Sequence, residues 1–107
     1  MSNGLFNSKM TAVDSWDLFY TIPATLKVAK VYINVCNTSQ VTVTVQVAIT
    51  SANSPLDKDI IEMVVLPANG GILIRECEFL SADEKIFIKS SASIPVRVSG
   101  LEFPITP

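Results

Sequence analysis

Histidine is absent from this chain of 107 residues. That removes the commonest general base, the commonest metal ligand and every Ser-His or Cys-His dyad. Enzymatic activity is therefore not expected. Cysteine is scarce too. Cys36 and Cys77 stand in separate apolar segments, far from any C-x-x-C spacing. A structural zinc site takes four Cys or His ligands, and this chain cannot supply them. Two partly buried thiols in a reducing compartment are the expectation. A disulfide stays open, because spacing alone does not decide it. No catalytic residue, metal ligand or cofactor site is assigned.

Charge is low. Asp, Glu, Lys and Arg make up 17% of the chain, where about 25% is usual. Eight basic against ten acidic residues leave a net charge of −2. A polyphosphate partner needs a basic stripe, and none is visible, so no direct nucleic-acid contact is expected. No apolar run approaches the length of a membrane-spanning helix, and no membrane partner is expected. The start, Met1-Ser2-Asn3-Gly4-Leu5-Phe6, lacks a basic stretch followed by an apolar one, so no secretory signal is expected. There is no phosphate loop, no G-x-G-x-x-G and no G-x-S-x-G.

What is present is apolar and β-branched. The mean hydropathy of +0.42 excludes a disordered chain, and the length suits one domain. Val, Ile and Thr supply 31 of the 107 residues, a composition that favours pleated sheet. Val41, Val43, Val45, Val47 and Ile49 alternate with Thr42, Thr44, Gln46 and Thr50, a period of two that no helix produces. Val31, Ile33 and Val35 alternate in the same way with Tyr32, Asn34 and Cys36. The polar Asn37-Thr38-Ser39-Gln40 between the two runs predicts a β-hairpin.

Further strands are expected at Met10–Val13, Trp16–Ile22, Asp59–Leu66, Ile72–Phe79, Lys85–Lys89 and Val96–Phe103. All six prolines fall at strand boundaries or in loops, where a missing N–H does least harm. Ser54-Pro55-Leu56-Asp57 can open one helical turn, with Ser54 as N-cap. Tyr20-Thr21-Ile22-Pro23-Ala24-Thr25 and Val65-Leu66-Pro67-Ala68-Asn69-Gly70 echo one another, as one kind of corner used twice. Short strands at regular spacing predict an all-β fold: an antiparallel β-sandwich of about eight strands, jelly-roll-like or Ig-like. Residues 1–9 are expected to be an N-terminal arm, 10–103 the sandwich domain and 104–107 a short C-terminal tail.

The acidic groups are weighed individually. Asp57, Asp59 and Glu62 lie close in sequence but lack the ligand count and bend glycine of a calcium loop. Glu76 and Glu78 share a strand face beside Arg75, and a polar face or subunit rim explains them. Trp16, Tyr20 and Tyr32 are candidates for a sugar-stacking platform. By parity Trp16, Leu18 and Tyr20 share one face, and Asp17 and Phe19 the other. With few charges, the outer strand faces consist of Thr, Ser, Ala, Asn and Gln with aromatics at intervals. Such a surface dehydrates cheaply and suits protein contacts. The ends carry Leu5 and Phe6, and Phe103-Pro104-Ile105, where free tails are usually polar. The expected interface residues are Leu5, Phe6, Trp16, Tyr20, Phe103 and Ile105, within a larger assembly and a homo-oligomer, with a trimer as one option.

A set of segments carries a resemblance. They are Tyr20-Thr21-Ile22-Pro23-Ala24, Val31-Tyr32-Ile33-Asn34-Val35-Cys36-Asn37, Leu66-Pro67-Ala68-Asn69-Gly70, Leu80-Ser81-Ala82-Asp83-Glu84-Lys85-Ile86 and Val96-Arg97-Val98-Ser99-Gly100-Leu101-Glu102. In this order they resemble the small β-sandwich structural proteins of tailed bacteriophages, of the marine and cyanobacterial phage type. The likeness spans nearly the whole chain and rests on turns and strand edges. Asp83-Glu84 stands where those proteins have a Gly-Asp turn, a departure that bears on the backbone shape of that corner. The resemblance implies a non-enzymatic virion protein, assembled in the host cytoplasm, without cofactor and with other virion proteins as partners. A capsid decoration (cement) protein is the first expectation. A neck, tail or fibre-attachment component is the alternative, and a carbohydrate-binding host-attachment module a third.

Overall fold

Val31, Ile33 and Val35 are buried, and so are Val43, Val45 and Val47, as their alternation requires. In the computed structural model these two runs lie in different sheets, which pack face to face. The structure describes residues 3–23 and 26–104, with the side chains of all of these except 3, 26, 27, 76–79 and 104. The strands are β1 (Asn3–Met10), β2 (Asp17–Thr21), β3 (Leu26–Asn37), β4 (Val43–Thr50), β5 (Ile60–Leu66), β6 (Gly71–Ser81), β7 (Lys85–Ser90) and β8 (Pro95–Pro104). The first sheet has the order β1-β8-β3-β6 and the second β2-β7-β4-β5. Every neighbouring pair is antiparallel. Only the β4–β5 connection stays within one sheet. This is the strand order of a jelly roll, which decides between the two sandwich types expected.

The β3–β4 hairpin expected from the sequence is not formed. β3 pairs with β6 and β8, and β4 with β5 and β7. Each strand buries one Val/Ile face, and the two faces meet across the core instead of lying side by side. Periodicity identifies the buried face but not the neighbouring strand. The Asn37 side chain holds the crossing. Its amide Nδ2 donates to the carbonyls of Val41 (2.8 Å), Leu66 (3.2 Å) and Pro67 (3.1 Å). Its Oδ1 accepts from the Ser39 N–H at 3.0 Å and the Ser39 hydroxyl at 2.6 Å. The β3–β4 and β5–β6 connections are thereby locked together at one end of the sandwich. Each echoed Pro-Ala stretch stands in the sequence between a strand of the second sheet and one of the first, β2 and β3 or β5 and β6; Ala24 and Thr25 lie outside the described residues.

Residues 3–9, expected as part of an arm, form with Met10 the edge strand β1 against β8. Of the predicted strand at Met10–Val13, Met10 ends β1 and Val13 forms an isolated bridge with Ser90. The polar composition of Asn7, Ser8 and Lys9 hid an edge strand whose inward positions face a second polar edge. Near Asp57, the turn expected from a Ser54 cap is a 3-10 turn over Asp57–Asp59. It is closed by the Asp59 carboxylate, which accepts from the Leu56 N–H at 2.9 Å. Ile49 keeps the core face predicted for it, half-buried against the core opposite Ile86 of β7. Register with β5 slips between Val47 and Ala48, where β5 carries an extra residue, Ile61, and Ala48 is buried as well, outside the core cluster.

Apart from Phe19, the core is aliphatic. Ala29, Val31, Ile33, Val35, Leu80, Val96 and Val98 from the first sheet meet Val43, Val45, Val47, Leu66, Ile86 and Ile88 from the second. Each fully buried Val or Ile contributes roughly 1.5–3 kcal/mol. Thr11 and Ser90 form a buried polar pair beside it. Their hydroxyls lie 2.5 Å apart, and Thr11 Oγ1 accepts from the Ile94 N–H at 3.1 Å. Gly100 is required by close approach: a Cβ there would lie 1.9 Å from the Lys30 carbonyl oxygen. Asp83 takes φ 67°, a left-handed conformation that glycine adopts most readily.

Candidate functional site

Two β-bulges set the aromatic residues. Phe6 is the extra residue of β1 against β8, and Phe19 that of β2 against β7. The bulge at Phe19 breaks the parity predicted for Trp16–Tyr20. Phe19 enters the core, Leu18 stays exposed, and Tyr20 turns inward to pack against the core. The Phe6 and Tyr20 rings stack at 4.4 Å between centroids and 12° between planes. The Tyr20 hydroxyl donates to the carboxylate of the buried Glu102. Burial first, then that hydrogen bond and the carboxylate's charge, hold the Tyr20 hydroxyl well above its ordinary pKa of 10.

The same edge carries more ties between β1 and β2. Asn7 Nδ2 donates to the Phe19 carbonyl at 3.0 Å. Lys9 Nζ pairs with Asp17 at 2.8 Å, donates to the Leu18 carbonyl at 3.1 Å and lies 4.8 Å from the Phe19 ring centroid. This seam closes one side of the sandwich. On the other side, Arg75 of β6 pairs with Glu62 of β5 at 3.1 Å.

The expected interface residues separate into groups. Leu5 and Phe103 are exposed, on β1 and β8 of the first sheet. Phe6 and Tyr20 belong to the seam. Trp16 is half-buried before β2, with Lys89 Nζ 5.8 Å from its ring centroid. Ile105 lies outside the described residues. Tyr32 faces outward from the first sheet, beneath Lys30. Trp16, Tyr20 and Tyr32 are therefore not brought onto one surface as a stacking platform.

The broadest apolar exposure, missed as a unit by sequence reasoning, is the outer face of the first sheet. Register and exposure place Leu5, Met10, Ile72, Ile74, Leu101 and Phe103 there. A shallow groove of about 240 Å³ crosses it, lined by Ile72, Ile74, Cys36 and Pro95 together with Asn34 and Arg97. The signal lay in single alternate positions on three strands, and only the pairing order puts them together. Cys36 is a free, half-buried thiol in that groove. The Cys77 side chain lies outside the described residues, as do those of Glu76 and Glu78.

Asp57, Asp59 and Glu62 do not converge. Asp59 serves the Leu56 N–H, which, with Lys58, holds its carboxyl below the usual range. Glu62 is committed to Arg75. Among the described residues no group of three or more His, Cys, Asp or Glu could hold a metal ion. No helix among them is long and apolar enough to cross a membrane.

Compared with known proteins, the chain matches no family model, no curated protein and no solved structure.

Proposed function

We propose that this chain is a non-enzymatic structural subunit of a tailed-phage virion, foremost a capsid decoration protein that cements the shell. The observation that carries the reading is the outer face of the first sheet. It exposes aliphatic and aromatic side chains on β1, β6 and β8, while Lys30 and Arg97 are the charges placed there among the described side chains. A face of that kind loses little on dehydration and gains when another protein covers it. The sequence resemblance supplies the setting. Many such contacts, each weak, would hold a shell together through multivalency.

Copy number tests the reading. Quantitative gel densitometry of purified virions should find this chain in hundreds of copies per particle. A dozen or fewer would assign it instead to the neck, tail or a fibre attachment, and none would remove it from the virion.

A further inference from the structure

Both open edges of the sandwich carry bulges and an ion pair between sheets; on the edge of β5 and β6 these are the bulges at Ile61 and beyond Arg75 and the pair of Arg75 with Glu62. The edges differ in the length of regular strand left open. On one, β1 bulges at Phe6 and turns Lys9 toward β2, while β2 is five residues long and bulges at Phe19. Short strands, bulges and inward charges are the features that stop an edge from recruiting another strand. The opposite edge carries β5 and β6. β6 runs for 11 residues without proline and is hydrogen-bonded to β3 on one side. Among the described residues no strand lies on its other side. Its register with β3 is unbroken from Gly71 to Arg75. Within that stretch Ile72 is 60% exposed and Ile74 54%.

We propose that Gly71–Arg75 of β6 is a two-fold interface at which a second copy of this chain adds its own β6 antiparallel. The two first sheets then continue as one. The free backbone edge selects a strand as the partner, because it offers alternating N–H and C=O groups. The side-chain pattern selects a second copy. A two-fold contact must be self-complementary, and Gly71-Ile72-Leu73-Ile74-Arg75 is so about Leu73. Ile72 opposes the second copy's Ile74, and Leu73 opposes its counterpart. Arg75 opposes the second copy's Gly71, so no like charges face each other, and Arg75 already pairs with Glu62 of its own chain. Pairing ends at Gly70, where φ of 116° breaks the extended strand. Apolar cross-strand pairs are the ones that stabilise such a contact. Met63 and Val65, exposed on the neighbouring edge strand β5, extend the apolar margin.

The interface stands on the edge geometry and does not rest on the virion reading. Sedimentation equilibrium of the purified chain should give twice its mass of 11.6 kDa. The double variant Ile72→Lys/Ile74→Lys sets like charges opposite each other and should raise the dissociation constant on the order of tenfold or more, with an unchanged circular dichroism spectrum. Amide exchange of the unmodified dimer supplies a second readout that does not depend on the variant folding. The Gly71 N–H already donates to the Pro67 carbonyl at 3.2 Å, so the readout is Ile72–Arg75: all of these amides should be protected, whereas a free edge leaves alternate ones fast. A monomer at high concentration overturns the proposal. So does a dimer with alternate β6 amides still exchanging quickly, which would mean that the copies meet elsewhere. A β6 that stays single in solution and is protected only on virus particles would give the edge to a different protein.

Discussion

The Tyr20 hydroxyl of the second sheet donates to the Glu102 carboxylate of the first, so the sandwich is tied across its layers by a part-buried polar bond as well as by apolar packing. Phe6 stacks on the same ring. Tyr20→Phe keeps the stack and removes the donor from a buried carboxylate, which should cost about 1–3 kcal/mol in urea unfolding. An unchanged midpoint would mean that the bond adds nothing.

The same bond makes stability sensitive to alkaline pH. The Tyr20 pKa is raised in the folded chain, so the folded state keeps this proton where the unfolded chain has begun to lose it. The contribution is full below the ordinary tyrosine value of about 10 and declines as pH rises above it. Unfolding free energy should fall more steeply above about pH 10 in the unmodified chain than in Tyr20→Phe. Parallel slopes would refute the assignment.

Gly100 and Gly4 separate two reasons for glycine. Both have positive φ, but a Cβ at Gly100 meets the Lys30 carbonyl at 1.9 Å while one at Gly4 meets nothing within 4 Å. Gly100→Ala should cost about 3 kcal/mol or more through overpacking against backbone. Gly4→Ala should cost only the conformational strain, about 1–2 kcal/mol. Thermal melts of the two variants measure the difference, and equal shifts would contradict the crowding argument.

Asn37 tests the crossing between sheets. Asn37→Asp keeps the shape but replaces the donor that serves three carbonyls with an acceptor. The loss of those bonds, with charge placed against carbonyl oxygens, should destabilise by about 3 kcal/mol or more. Asn37→Ser, which keeps a single donor, should fall between the two. Chemical denaturation orders the three proteins, and an Asp variant as stable as the original would remove Asn37 from its role.

Much of the fold was legible because burial here follows alternation. Val31, Ile33, Val35, Val43, Val45 and Val47 announce two strands and the face each buries. Their partners were not legible, since a valine face packs equally well beside a neighbour or across a core, and the signal that separates the two is the Asn37 amide. Strand β1 was hidden because Asn7 and Lys9 face another polar edge instead of apolar residues. Phe6 and Tyr20 read as surface aromatics because parity cannot anticipate the bulges at Phe6 and Phe19. The apolar outer face is spread over β1, β6 and β8, which only the topology makes adjacent.

The most direct measurement of the proposed role is the temperature at which purified particles release their genome, compared between particles that carry this chain and particles from a deletion strain. A cementing subunit predicts release at a lower temperature without it, and recovery when the purified chain is added back. Identical release temperatures for the two kinds of particle would contradict the account.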